Sequence, residues 1–291
     1  MITGEYLVLN GVKAFALPTK FGQNLIVEEG NNNQIEWKSF DNDRSIWFQE
    51  IISFKSIAAK EIFEDKTKTT LVEILHEAYL QNSGFITDSK GYKITTELTF
   101  PKFWGLGTSS TLLNNIAQWL EINPYKILKN TFGGSGYDIA NAQNDFPITY
   151  QLQNGSPIVE RANFKPSFTD NIYFIYLNKK QSSKASIEKY LSKQNDISKV
   201  VSEIEKITNV ALKTNDLKTF SEAMQNHEII MSSILETETV KEKYFQDFDG
   251  VVKSLGAWGG DFVMVLSEEN PSAYFKQKGF ETILTYKEMI L

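Results

Sequence analysis

The sequence predicts an α+β fold in two domains, 1–162 and 163–291. Strand-like and helix-like stretches alternate through the first half, as in a mixed α/β domain. The second half reads β-α-α-α-α-β-α-β, the pattern of a small antiparallel sheet covered by helices. At ~100–200 residues per domain, 291 residues make one large domain or two modest ones.

The elements follow in order. Tyr6-Leu7-Val8-Leu9 and Phe15-Ala16-Leu17 flank Asn10-Gly11. Asn-Gly between apolar runs predicts a hairpin, because both residues tolerate positive φ. Leu25-Ile26-Val27 and Ile35-Glu36-Trp37 read as strands around a polar turn at Asn31-Asn32-Asn33. Residues 46–64 and 68–82 read as helices, the second with Leu71, Val72, Leu75, Ala78 and Tyr79 on one face. Residues 92–100 alternate as a strand, with Ile94, Thr96, Leu98 and Phe100 on one side, and Pro101 stops it. A helix runs to about Leu120, Asn123-Pro124 breaks it, and a short helix follows at 125–130. Strands are expected at 147–152, 157–162 and 171–178. Helices are expected at 184–194, 196–214, 216–235 and 240–254. The apolar run Phe262-Val263-Met264-Val265-Leu266 reads as a buried strand, followed by a short helix after Pro271 and a last strand at 281–286.

Composition narrows the function. Hydrophobic residues make up 41% and charged residues 23%, enough for a globular core. A net charge of -6 argues against nucleic acid or an anionic membrane as the main partner, because both need a basic face. Without cysteine there is no disulfide, thiolate nucleophile or zinc–thiolate site. No apolar run approaches the ~20 residues of a membrane span. Met1-Ile2-Thr3-Gly4-Glu5 lacks the basic and apolar regions of a signal peptide, so a cytoplasmic protein is expected. His76 and His227 lie on separate expected helices with no second ligand at metal spacing, so neither reads as a metal ligand. Lys179, Lys180 and Lys184 read as a solvated loop.

Three glycine clusters carry the chemistry. Gly105-Leu106-Gly107-Thr108-Ser109-Ser110 joins a strand to a helix. The first turn of a helix has unpaired N–H groups and a partial positive charge, which attract phosphate. Glycine lets the backbone approach the ligand, and the hydroxyls can cap the helix, bond phosphate or hold Mg²⁺. A plain capped helix start has the same look. No lysine gives this turn a Walker A loop, and serine at 110 breaks the Rossmann spacing. Gly133-Gly134-Ser135-Gly136-Tyr137-Asp138 places one carboxylate after a flexible turn, either to orient an attacking hydroxyl or to cap a helix. Gly256-Ala257-Trp258-Gly259-Gly260-Asp261 precedes an apolar strand, as a ligand-approaching loop or a plain turn.

In this order the clusters resemble the GHMP kinases, and the resemblance spans the chain. Pro101-Lys102-Phe103-Trp104-Gly105-Leu106-Gly107-Thr108-Ser109-Ser110 looks like the family's Pro-x-x-x-Gly-Leu-Gly-Ser-Ser loop. Lys253-Ser254-Leu255-Gly256-Ala257-Trp258-Gly259-Gly260-Asp261 looks like its C-terminal glycine motif, and Gly4-Glu5-Tyr6-Leu7-Val8-Leu9-Asn10-Gly11 like its first motif. Gly4-Glu5-Tyr6 and Ser135-Gly136-Tyr137-Asp138-Ile139-Ala140 are most similar to the mevalonate and phosphomevalonate kinase branch, and the Gly-Tyr-Asp-Ile-Ala string to a bacterial subgroup.

The resemblance implies a two-domain fold: an N-terminal α/β domain with a left-handed βαβ unit and a C-terminal ferredoxin-like domain. ATP and an acceptor would meet in the cleft between them. It implies transfer of the γ-phosphoryl group of ATP, with Mg²⁺, to a small acidic metabolite. Pro101, Gly105, Leu106, Gly107, Thr108, Ser109 and Ser110 would form the ATP phosphate loop, with Ser109 as the Mg²⁺ ligand. Asp138 would orient or deprotonate the acceptor. Glu5, Tyr6, Gly136, Gly256, Ala257 and Gly259 would line the acceptor side. The partner would be that metabolite, with no nucleic acid or membrane, and a homodimer as one admissible assembly.

The chain departs from the family pattern at three places. Family members normally carry a Pro-Gly-Lys a few residues before the Gly-Glu, whereas here only Met1-Ile2-Thr3 precede Gly4 and that lysine is missing from the sequence. The stretch 125–131, where mevalonate kinases carry a Mg²⁺-binding glutamate, has no carboxylate. Trp258 replaces a glycine, and should narrow the pocket or stack on a neighbour. Two other readings stand beside the kinase: an ATP-dependent diphosphomevalonate decarboxylase on the same fold, and a non-catalytic homologue that binds nucleotide or metabolite.

Overall fold

The computed structural model describes residues 1–180, 183–192 and 198–291. The facing ends of the helices expected at 184–194 and 196–214, and the Lys184 side chain, lie outside the described residues. The first half carries β1 (Ala14–Ala16), β2 (Gln23–Glu29), β3 (Gln34–Phe40), β4 (Ile46–Ser53), α1 (Phe54–Ala59), α2 (Lys66–Gln81), α3 (Gly84–Thr87), β5 (Tyr92–Leu98), α4 (Thr108–Leu120), α5 (Pro124–Thr131), α6 (Tyr137–Ala142), β6 (Ile148–Gln153) and β7 (Ser156–Arg161). The second carries β8 (Ile172–Tyr176), α7 (Ser183–Leu191), α8 (Ser198–Lys213), α9 (Leu217–Leu235), α10 (Val240–Tyr244), β9 (Val251–Ser254), β10 (Phe262–Leu266), α11 (Ser272–Gln277), β11 (Ile283–Thr285) and α12 (Tyr286–Met289).

These elements form two compact units. The smaller takes residues 21–102 and 106–143; the larger takes 1–20, 103–105 and 144–291. In the smaller unit the sheet order is β2-β5-β3-β4. Strands β3 and β5 run parallel, and α1 to α3 make the crossover between the hairpin β3–β4 and β5. Trp37, Ile94, Val72, Leu75, Leu113 and Ile116 meet in one core, which fixes α2 and α4 against that sheet. Asp65 caps α2 through Thr67 and Lys68, and Asn123 caps α5 ahead of Pro124, the helix-start chemistry expected of these residues.

The larger unit holds two sheets. One is antiparallel, β1-β6-β7. The other has the order β11-β8-β10-β9, all antiparallel. In chain order that is 4-1-3-2 with helices after the first and third strands, the ferredoxin-like arrangement. Helix α9 packs on β9 and on α8. Among the described residues no helix is long and apolar enough to cross a membrane.

Three expected elements are corrected. Asn10-Gly11 does not make a hairpin: residues Leu7–Asn10 wind into a 3₁₀ turn that Gly11 ends at φ 82°. Positive φ serves a helix C-cap as well as a hairpin turn, and the buried Leu7 and Val8 favour the helical turn. Residues 46–53 are strand β4 and only 54–59 are helical. Pairing with β3 from Ile35 to Phe40 outweighs local helix preference there, and Ser53 caps α1 by accepting from Ser56 N–H. The helix expected over 240–254 stops at Tyr244, and 251–254 join β10 as a strand. Gly250 marks that change: the space a Cβ would fill holds the Phe248 ring and the Leu266 carbonyl.

Candidate functional site

Helix α4 begins without a side-chain cap. Its N-cap is Gly107 at φ 78°, and the first intrahelical bond is Thr111 N–H to the Gly107 carbonyl. The N–H groups of Thr108, Ser109 and Ser110 have no partner among the described residues. Three such donors at the positive end of a thirteen-residue helix have the chemistry that suits an anion. Ser109 is exposed there, while Leu106, Gly107, Thr108 and Ser110 are half-buried. Pro101, also half-buried, precedes a 3₁₀ turn at Lys102–Trp104 that leads into the glycines.

Asp138 comes to this turn from α6. A Cβ placed on Gly107 would stand 3.9 Å from the Asp138 carboxyl carbon, so only a methyl-sized gap separates turn and carboxyl. Burial raises the Asp138 pKa, and a hydrogen bond from Tyr137 pulls the other way. Gly136 starts α6 at φ 80°, and its Cβ position is filled at 2.9 Å by the Tyr125 ring. Packing alone therefore explains that glycine.

The third cluster folds as a loop between β9 and β10. Asp261 closes it at φ 51°, its N–H donating to the Lys179 carbonyl and its carbonyl accepting from Leu177 N–H. A Cβ on Gly105 would fall 2.3 Å from the Asp261 carboxyl carbon, so the carboxyl occupies the place where any other residue would carry its side chain. Gly256 is open, with nothing near its Cβ position, Ala257 is buried, and Gly259 sits at φ 84°. Trp258 is buried with Tyr6, and its N–H donates to the Tyr6 hydroxyl at 3.1 Å.

Glu5 and Tyr6 lie inside the larger unit. Glu5 is 3% exposed. Its Oε1 pairs with Lys253 Nζ at 2.7 Å and its Oε2 lies 3.2 Å from His227 Nε2. Gly4 N–H donates to the same Nε2, which assigns the ring proton to Nδ1 and makes the imidazole an acceptor. Burial, then the Lys253 charge, hold the His227 pKa well below its ordinary value, so the Glu5 contact is not an ion pair. Burial pushes the Glu228 carboxyl up to about 7, although it accepts from Ser254 N–H and Oγ–H. Tyr6 has φ 60° and ψ -48°, a strained conformation for a bulky residue, and its ring lies 5.6 Å from that of Tyr190.

The sequence signals for this cluster are weak but present. Lys253 interrupts the apolar Val251-Val252 at a buried strand, and His227-Glu228 stands on the stripe of Met224 and Met231. His76 is settled more simply, its Nδ1 at 2.8 Å from the Ile57 carbonyl. Lys179 and Lys180 are exposed, as read. No group of three or more His, Cys, Asp or Glu among the described residues is arranged to hold a metal.

No protein-family model and no curated protein matches the chain. Solved structures do. Mevalonate kinase from Methanococcus jannaschii is 17% identical with a TM-score of 0.67, covering 98% of this chain and 95% of its own. Phosphomevalonate kinase from Streptococcus pneumoniae, in complex with phosphomevalonate and AMPPNP, is 14% identical with a TM-score of 0.70, covering 97% and 96%. Galactokinase from Lactococcus lactis, complexed with galactose, is 11% identical with a TM-score of 0.61, covering 95% and 85%. The fold is therefore the one these kinases share, the GHMP kinase fold.

Proposed function

We propose that this chain is an ATP-dependent small-molecule kinase, and that its acceptor is a mevalonate-like or phosphomevalonate-like acid. The observation that carries the reading is the Asp138 carboxyl standing at the Gly107 turn, beside three helix N–H groups without a partner among the described residues. A donor array for phosphate and a carboxylate for a hydroxyl proton are the two parts phosphoryl transfer needs close together. The shared fold supports it, and AMPPNP with phosphomevalonate in the Streptococcus pneumoniae protein supports ATP and the acceptor class.

In this reading the Thr108, Ser109 and Ser110 N–H groups hold the nucleotide phosphates, and Gly107 lets the backbone close on them. Asp138 accepts the proton of the acceptor hydroxyl as its oxygen bonds the γ-phosphorus and the bond to the ADP leaving group breaks. With a phosphate acceptor, Asp138 orients it instead. A raised pKa suits a carboxyl that must take a proton. Mg²⁺ would be held chiefly by the phosphates with the exposed Ser109 hydroxyl, since Mg²⁺ keeps several waters and needs few protein ligands. It would neutralise phosphate charge there. A cytoplasmic setting fits the cysteine-free sequence.

Coupled ADP release with mevalonate, phosphomevalonate, homoserine and galactose tests the reading. At least one acceptor should turn over with Mg-ATP. If none does, and Asp138→Asn leaves ATP turnover unchanged, the reading fails.

A further inference from the structure

One buried structure takes no part in the chemistry proposed above. Glu5, His227, Glu228, Lys253 and Ser254 lie together in the larger unit, each no more than 3% exposed. Lys253 Nζ reaches Glu5 Oε1 at 2.7 Å and the Ser254 carbonyl at 2.8 Å, with Glu228 Oε2 at 3.9 Å. Glu228 in turn accepts from Ser254 N–H at 3.1 Å and from Ser254 Oγ–H at 2.7 Å. Ser254 is thus held at its nitrogen, its hydroxyl and its carbonyl. A packing role alone would be met by apolar side chains, because buried ion pairs lose much of their attraction to desolvation. Directional bonds to a carbonyl are what an apolar replacement cannot supply.

Ser254 ends β9, and the loop 255–261 starts there. The loop is tied twice more. Trp258 N–H bonds the hydroxyl of Tyr6, the neighbour of Glu5, and Tyr6 is kept in a strained backbone conformation. Asp261 is bonded at both its N–H and its carbonyl, and its carboxyl lies on Gly105.

We propose that Lys253 is a positioning residue: with Glu5 and Glu228 it fixes Ser254, and so sets the 255–261 loop whose Asp261 carboxyl braces Gly105. The proposal rests on reading the 105–110 turn as the phosphate site. It deepens that reading by naming what holds Gly105, the residue at which that segment begins.

Lys253→Met alone leaves the Glu5 carboxylate buried and unpaired, and such a variant should fold poorly. The paired variant Glu5→Gln with Lys253→Met removes both charges and keeps both volumes. It should melt close to the unmodified protein. Hydrogen exchange should nevertheless speed at least tenfold for amides in 255–261 and 103–105, and the KM for ATP should rise at least tenfold with a smaller change in kcat. A folded paired variant with exchange and ATP KM within twofold of the unmodified protein overturns the proposal. An unfolded paired variant also contradicts it, because the pair would then hold the whole unit rather than one loop. Absence of ATP binding by the unmodified protein defeats the phosphate-site reading instead. The exchange measurement at 103–105 still decides whether the cluster braces the turn.

Discussion

Gly105→Ala and Gly107→Ala ask different questions of the same turn. Both glycines have positive φ, 70° and 78°, so each alanine incurs about 1–2 kcal/mol of backbone strain. At Gly107 that is nearly all, because the new Cβ would meet the Asp138 carboxyl at an ordinary 3.9 Å. At Gly105 the Cβ would meet the Asp261 carboxyl at 2.3 Å. Asp261 cannot retreat as a whole, since its N–H and carbonyl are both bonded. Forcing its side chain aside adds about 1–3 kcal/mol, the usual cost of overpacking. Urea unfolding should therefore rank Gly105→Ala below Gly107→Ala by that difference. ATP titration should show the opposite kind of loss. The Gly107 methyl enters the gap between turn and Asp138, and should weaken ATP binding tenfold or more, about 1.4 kcal/mol. If Gly107→Ala binds ATP within twofold of the unmodified protein, or Gly105→Ala is as stable as Gly107→Ala, the reasoning is wrong.

Other outcomes follow from the same geometry. Burial lifts the Glu228 pKa from 4.5 to about 7, so the folded state holds that proton more tightly. Its contribution is full below pH 4.5 and is lost as pH rises to about 7, a swing of about 3 kcal/mol. Glu228→Gln should remove that decline from urea melts run across this window; an unchanged slope contradicts the burial argument. His227 acts in the other direction, since its depressed pKa makes stability fall as pH drops below the ordinary 6.5. His227→Gln should flatten the acid limb. Gly136→Ala should cost about 2–5 kcal/mol in chemical unfolding, because its Cβ would meet the Tyr125 ring at 2.9 Å at φ 80°. A loss under half of that would show that the ring yields easily.

Local signals explain what the sequence made legible. Strands β2, β3 and β5 and helices α2 and α4 were readable because their apolar spacing and their capping or stop residues agree. Strand β4 was not, because Ile46 to Ser53 is a strand through pairing with β3 rather than through its own periodicity. Asn10-Gly11 signalled positive φ correctly and the wrong element, since two structures share that requirement. The donors at the start of α4 could be read because they come from one contiguous segment. The approach of Asp138 to Gly107 could be expected only through the family resemblance. The Glu5–Lys253 pair joins residues 248 positions apart, and no spacing rule reaches that far.

The most direct test of the kinase reading is acceptor-dependent ADP formation with Mg-ATP, measured on the unmodified protein and Asp138→Asn side by side with ATP affinity. The account predicts turnover with a hydroxylated or phosphorylated small acid, a loss of about 10²-fold or more in Asp138→Asn, and ATP affinity changed by less than about fivefold. Equal turnover in the two proteins, or no turnover with any acceptor, would contradict it.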